Sequence, residues 1–364
     1  MPGRTHLTST SSGLRGLHSS RHRAHCSCEP RWHHESEGMG MRKTGAALIF
    51  YLLSIVLFPV SLLGFVIWVG KLLVAKPSGV STSAQGPLSA RWTMHTFGVR
   101  DDQAASRLLP ILPGVPWLGV RLAFWPGLVA HRVTGFVPKT FRYPFKGEVH
   151  PQAEASARVT FFDDAVDRFL PAIDQFVILG AGFDTRPYRL AQDTPVSSFE
   201  VDAPKTQAVK RAMLDKAGID VGKVRFVPAD FEKDDWLAKL VDAGFDLGRP
   251  ALFLWEGVTM YLDREAIEDT LRKVATCAKG TLLAFDYYTT VSLESNGTYW
   301  RFARASTKSV GEQLKFGVDS TPPSRERLSE LLESCGLALL EQRTLGRDTE
   351  LERAWGGFAI AIVE

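Results

Sequence analysis

Apolar and polar positions divide the chain into three unlike parts. Across 45–70, 26 consecutive residues carry no charge, and Arg42, Lys43, Lys71 and Lys76 bracket them. Because about 20 apolar residues cross a bilayer as one helix, this run predicts an N-terminal transmembrane helix over 45–70. Tyr51 and Trp68 would anchor its ends and Pro59 would kink it. A second apolar stretch, 108–130, is broken by Arg121 and four prolines, and reads as an interfacial segment or the lining of a lipophilic cavity. From about Arg158 onward, short β-branched runs alternate with amphipathic helical patterns. Strands are predicted at 175–179, 197–201, 224–227, 251–255 and 281–285, with helices at 205–217, 234–243 and 264–278. A helix at 325–335 and closing strands at 337–342 and 357–363 complete the pattern. This alternation predicts an α/β domain over 157–364, a seven-stranded, doubly wound, mostly parallel sheet, preceded by a cap or substrate region over 78–156.

Composition narrows the choices. Of the 364 residues, 45% are hydrophobic and 23% charged, a balance for a folded chain rather than a disordered one. Forty-three basic residues against 40 acidic ones leave +3, too little for a broad field, so no nucleic-acid partner is expected. Four cysteines make no disulfide framework, and Cys277 and Cys335 sit in apolar surroundings as inert core. The segment 1–43 holds six of the nine histidines. His22, His25, Cys26, Cys28, His33 and His34 fit no common zinc spacing, so no metal is expected. Residues 1–38 read as an extension that is absent or disordered in the working protein, with Met39 or Met41 as a natural start and an Arg- and Ser-rich transit peptide as the alternative. Three Lys or Arg before the apolar run and two after it leave the membrane topology open.

Candidate chemistry collects at strand ends. The first strand runs into Leu179-Gly180-Ala181-Gly182-Phe183-Asp184-Thr185-Arg186. Gly180 and Gly182 permit a tight turn and a close ligand approach at the carboxyl edge of the sheet, while Thr185 occupies the third glycine position of a dinucleotide fingerprint. Glu200 and Asp202 end the second strand, and Asp202, 22 positions after Gly180, suits the ribose hydroxyls of an adenosine cofactor. Asp230 and Phe231 follow the third strand and suit adenine, the carboxylate on its exocyclic amine and the ring on its face. Glu256 follows the fourth strand. Each acid could instead be a helix cap, Asp230 above all; four such signals at successive strand ends favour one shared pocket.

With these words in place the chain resembles the leucine carboxyl methyltransferase type of S-adenosylmethionine (SAM)-dependent methyltransferases. The matching segments are ARVTFFDDAV (157–166), QFVILGAGFDTRPYRL (175–190), FEVDAP (199–204), VPADFEKDDW (227–236) and LWEGVTMYL (254–262), with a looser match over 89–116. The resemblance implies a Rossmann-like fold with SAM as cofactor. It sets Gly180 against the methionine part, with Gly182 also binding the cofactor, Asp202 on the ribose, Asp230 and the backbone of Phe231 on adenine, and Arg158 on the methionine carboxylate. Glu256 would stand near the methionine amino group and the methyl-transfer site. The activity implied is O-methylation, with a carboxylate of a small or lipophilic molecule as acceptor. The membrane run and the proline-rich apolar insert depart from the family pattern and leave the acceptor side open. SAM is made in the cytoplasm, so a single-pass membrane protein with its catalytic domain on that side is expected. Two alternatives stand beside this reading: a nicotinamide-dependent oxidoreductase, disfavoured by Thr185, and a membrane-tethered SAM-binding protein without turnover. No GxSxG elbow supports a hydrolase.

Overall fold

A computed structural model describes residues 40–74, 84–141, 149–191, 193–309 and 312–364. The His/Cys-rich segment, and the readings placed on it, lie outside the described residues. The described residues open with α1 (Gly40–Val56), α2 (Phe58–Val74), α3 (Gln85–Thr96), α4 (Gln103–Leu108) and α5 (Trp117–Thr134). Then follow α6 (Glu154–Phe169), β1 (Gln175–Leu179), β2 (Ser197–Asp202), α7 (Pro204–Lys216), β3 (Val224–Pro228), α8 (Trp236–Asp242) and β4 (Ala251–Trp255). The chain closes with α9 (Arg264–Ala275), β5 (Leu282–Tyr288), α10 (Thr290–Glu294), α11 (Thr298–Ser309), α12 (Ser324–Ser334), β6 (Ala338–Leu345) and β7 (Gly356–Ile362).

The seven strands form one sheet in the order β3-β2-β1-β4-β5-β7-β6. The first five run parallel, while β7 enters antiparallel between β5 and β6. Side chains alternate along each strand, so one row packs on each face. Val177, Phe199, Phe253 and Leu283 meet Trp236 of α8, Leu271 of α9 and Leu328 of α12 on one face. Phe176, Ile178, Leu252 and Phe358 meet Phe161 and Phe162 of α6 on the other. Helices on both faces explain why β1 and β4 are buried at every position, as parallel strands with two covered faces must be. Each fully buried aromatic or aliphatic side chain contributes about 1.5–3 kcal/mol, so these two layers dominate stability.

The apolar run over 45–70 is the main correction. A single transmembrane helix was expected there; instead the chain forms α1 and α2, bent by 59° at Leu57. No single helix among the described residues is long and apolar enough to cross a membrane. Proline is the physical reason. Pro59 has no N–H to offer the Ile55 carbonyl, and its ring crowds that carbonyl, so the first helix stops and a second starts with Pro59 in its opening turn. Each limb of 17 residues is ~25 Å long, short of the ~30 Å hydrocarbon thickness.

The second apolar stretch supplies α5, which lies against α2. A Cβ on Gly64 would stand 2.2 Å from the Ala123 nitrogen, and one on Gly119 would stand 2.9 Å from the Trp68 nitrogen. The two backbones therefore touch through glycine, and the Ser61 hydroxyl donates to the Ala123 carbonyl at 2.8 Å across the same contact. Behind this pair, Trp92 of α3 meets Trp117 and Phe124 at ring separations of 5.5 Å. Pro110, Pro113 and Pro116 fall before α5, whereas Pro126 sits inside that 18-residue helix without breaking it.

Candidate functional site

The chain leaves β1, moves outward through β2 and β3, and returns to β4 on the other side of β1. That reversal opens a crevice at the carboxyl ends of β1 and β4, where doubly wound sheets hold ligands. The Gly180-Ala181-Gly182 turn lines it. Gly180 has φ +67°, and a Cβ there would meet Val258 Cγ2 at 2.4 Å; Gly182 has φ +43°. Both are left-handed conformations that glycine alone adopts without strain. The turn is fastened from below, since the N–H groups of Gly180 and Ala181 donate to the Val201 carbonyl of β2. Above it lies a cavity of about 220 Å³ whose walls include Arg91, Arg158, Gly180, Gly182, Asp202 and Glu256.

Asp202 forms one edge. Its Oδ1 accepts from the Ala203 N–H at 2.6 Å, and its Oδ2 accepts from the Gly182 N–H. Burial nevertheless pushes its carboxyl up to about 6, against the pull of those donors. Each oxygen keeps a lone pair free, so the group can still accept two hydroxyls.

At the opposite wall two acids are gripped by two arginines. Arg91 Nη2 donates to Glu256 Oε2 at 2.7 Å and to Asp184 Oδ2 at 2.9 Å. Arg186 Nη1 reaches the same two oxygens at 2.5 Å. All four side chains are buried. Burial alone would raise the Asp184 carboxyl; Arg186 and Arg91 outweigh it and hold the group well below the usual carboxylate range. Glu256 Oε1 is buried with no hydrogen-bond partner, an orphan acceptor on a cavity-lining residue.

Arg158, from α6, stands between Glu154 and Asp286. Its Nη2 donates to Glu154 Oε1 at 2.6 Å, and its Nε lies 2.8 Å from Asp286 Oδ2. Asp286 Oδ1 also accepts from the Gly257 N–H at 2.6 Å, and the Tyr288 hydroxyl donates to Glu154 Oε1 at 2.9 Å. Burial lowers the arginine pKa, but the two carboxylates override it and keep the guanidinium charged. Burial pushes Asp286 up to about 6 despite Arg158. Two carboxylates thus orient this guanidinium, and its Nη1 lies 3.7 Å from where a Gly257 Cβ would stand.

Residues 145–275 match the leucine carboxyl methyltransferase family model. That segment runs from the approach to α6 through α9 and contains all seven residues singled out from the sequence. The chain is 35% identical over 193 residues to a Mycolicibacterium paratuberculosis protein named "Putative S-adenosyl-L-methionine-dependent methyltransferase", covering 51% of this chain and 62% of that one. A Mycolicibacterium smegmatis protein of the same name is 35% identical over 167 residues, covering 45% and 51%. The chain thus spans between half and two thirds of the length of these curated relatives. Among solved structures, a DUF574 family protein from Streptomyces avermitilis is similar at TM-score 0.43 and 17% identity, over 59% of this chain and 85% of that one.

Arg158, Gly180, Gly182, Asp202 and Glu256 come together around this cavity, and all five lie inside the segment that matches the family model. Asp230 and Phe231 do not line it. Asp230 is engaged in a turn after β3, with Oδ2 2.6 Å from Lys233 Nζ and Oδ1 accepting from the Glu232 N–H. Phe231 packs toward Trp236 at a ring separation of 6.1 Å. A larger groove of about 540 Å³ lies elsewhere, at the starts of β2 and β3 beside Ser198 and Val224, away from the strand ends that carry the glycines. Sequence reasoning missed Arg91, Asp184, Arg186, Glu154, Asp286 and Tyr288. Asp184 and Arg186 stood inside the quoted glycine motif, so their charge there was the available signal. Thr185, which displaced a dinucleotide glycine, ties the turn to α4 instead. Its hydroxyl donates to Asp102 Oδ2 at 2.6 Å, and Asp102 Oδ1 caps α4 by accepting from the Ala105 N–H at 2.9 Å.

Proposed function

We propose that the chain is a SAM-dependent O-methyltransferase whose donor binds in the cavity above Gly180, with a carboxylate on a small or lipophilic molecule as acceptor. The observation that carries this reading is the common wall: five of the seven sequence-derived residues line a single cavity at the point where the strand order reverses. The residues fit the donor chemically. Gly180 leaves the space a Cβ would fill, and the paired oxygens of Asp202 suit a ribose diol. Arg158 suits a carboxylate, and the orphan Glu256 Oε1 suits an ammonium group.

SAM when bound supplies an activated methyl group with its own leaving group, so the protein's work is alignment and exclusion of water. The ionisable groups at the cavity favour an acceptor that arrives already ionised. No histidine lines the cavity among the described residues. Burial and Glu154 hold the Tyr288 hydroxyl protonated, with its pKa far above the ordinary value. A carboxylate is ionised near neutral pH and needs no base.

Calorimetric titration of the purified full chain with SAM, S-adenosylhomocysteine (SAH) and NADH tests the reading. SAM and SAH are expected to bind, NADH is not, and Asp202→Ala is expected to abolish binding. Radiolabelled methyl transfer to a panel of carboxylic acids and lipids then separates turnover from binding alone. NADH binding with no response to SAM or SAH would replace the proposal with the oxidoreductase reading.

A further inference from the structure

We propose that α1, α2 and α5 form a platform that docks onto an anionic lipid surface from one side, without spanning it. Three independent features point there. First, the exposed apolar side chains are concentrated on these helices. Ile55, Val56 and Val66 are 61–73% exposed, and Phe58, Leu62 and Leu118 are 51–61% exposed. An apolar patch of this extent is rare on a surface that faces only water. Second, the described charged side chains of the three helices are Lys71, Arg121 and Arg132, with no acidic residue among them, although the whole chain is nearly neutral. Third, the 59° bend at Leu57 leaves neither limb able to cross the hydrocarbon layer by itself, so a span would need the bent pair taken together, whereas each limb is long enough to lie along the surface.

The outer face of α5 shows how the two chemistries combine. Leu118, Arg121, Trp125 and Arg132 are all exposed and fall at helical spacing on one side, opposite the buried Gly119, Ala123, Pro126 and Ala130. Apolar side chains and a tryptophan beside arginines suit the headgroup boundary, where long basic side chains reach phosphate while their stems stay among acyl chains. The inner side of the platform is already occupied. Phe50 of α1 packs with Phe97 and Ala130, and Trp68 of α2 packs into the cluster around Trp92 of α3. Charge complementarity therefore selects an anionic bilayer for the free face, in preference to a second copy bearing the same positive helices.

The inference is independent of the methyl donor, and so is its test. The purified full chain is floated with vesicles of phosphatidylcholine alone or mixed with phosphatidylglycerol. The expected result is flotation with the anionic vesicles, weakened by salt, and partitioning about thirtyfold weaker for the R121Q/R132Q double variant. Both positions are exposed, and circular dichroism checks that the variant is folded. Thr44→Cys and Lys71→Cys variants, labelled with a membrane-impermeant maleimide on sealed vesicles, are both expected to react from outside. Equal binding to neutral and anionic vesicles with no effect of R121Q/R132Q would overturn the proposal. So would protection of one labelled end, which means a span, or a dimer burying these helices that vesicles do not dissociate.

Discussion

Asp202 links the site to pH in a way that can be measured. Its carboxyl sits at about 6 because burial outweighs the two N–H groups that donate to it. An unfolded aspartate titrates near ~3.9, so the folded state holds this proton more tightly than the unfolded chain. The sign follows directly. The folded state gains from this group below about pH 4, and the gain is lost as pH rises through about 6, where the buried charge must form. A ligand diol that donates to both carboxylate oxygens reverses the preference, because it favours the ionised form. If binding requires that form, the apparent Kd carries a factor of one plus the ratio of protonated to ionised Asp202. Near pH 5 that factor is about 11 and near pH 7 about 1.1, a tenfold loss of affinity, or ~1.4 kcal/mol, on acidification. Calorimetric titration of SAH between these limits is the assay, with Asp202→Asn as a weaker-binding control whose pH slope should be nearly flat. Asp286 also sits at about 6, so Asp286→Asn is the second control and should leave most of the slope in place. A wild-type Kd that does not change across this window would refute the assignment of Asp202 to the ligand.

Two further outcomes follow from the same geometry. Gly180→Ala should destabilise the protein by about 2–4 kcal/mol in urea unfolding and abolish SAH binding, since the new Cβ meets Val258 Cγ2 at 2.4 Å on a left-handed backbone; adding Val258→Ala should relieve only the clash. Arg91→Met leaves Asp184 and Glu256 to Arg186 alone and should cost about 3 kcal/mol, read as a lower urea midpoint at pH 7, with no change expected if the pair were solvated.

Local rules made much of the molecule readable from its residues. All seven strands lie where alternating apolar runs placed them, with ends displaced by at most a few positions. Such patterns depend on neighbours two to four positions away, which the chain itself supplies. The glycine turn and the place of Asp202 were legible for a related reason: positive φ demands glycine, and Asp202 ends β2 at the carboxyl edge of the sheet beside the point where the strand order reverses. Charge pairing across the site was not legible. Arg91 meets Asp184 and Glu256 over separations of 93 and 165 positions, and no local pattern encodes which distant acid an arginine will find.

The apolar run over 45–70 shows the same division in one segment. Its residues by themselves determined a helical, uncharged stretch that must find an apolar neighbour. Pro59, a local feature, set where that stretch would bend, while only the tertiary structure decided that Gly64 and Gly119 let α2 touch α5 backbone to backbone. Composition and periodicity fix what a segment can do alone. Close approach and charge pairing belong to whichever elements the topology brings together.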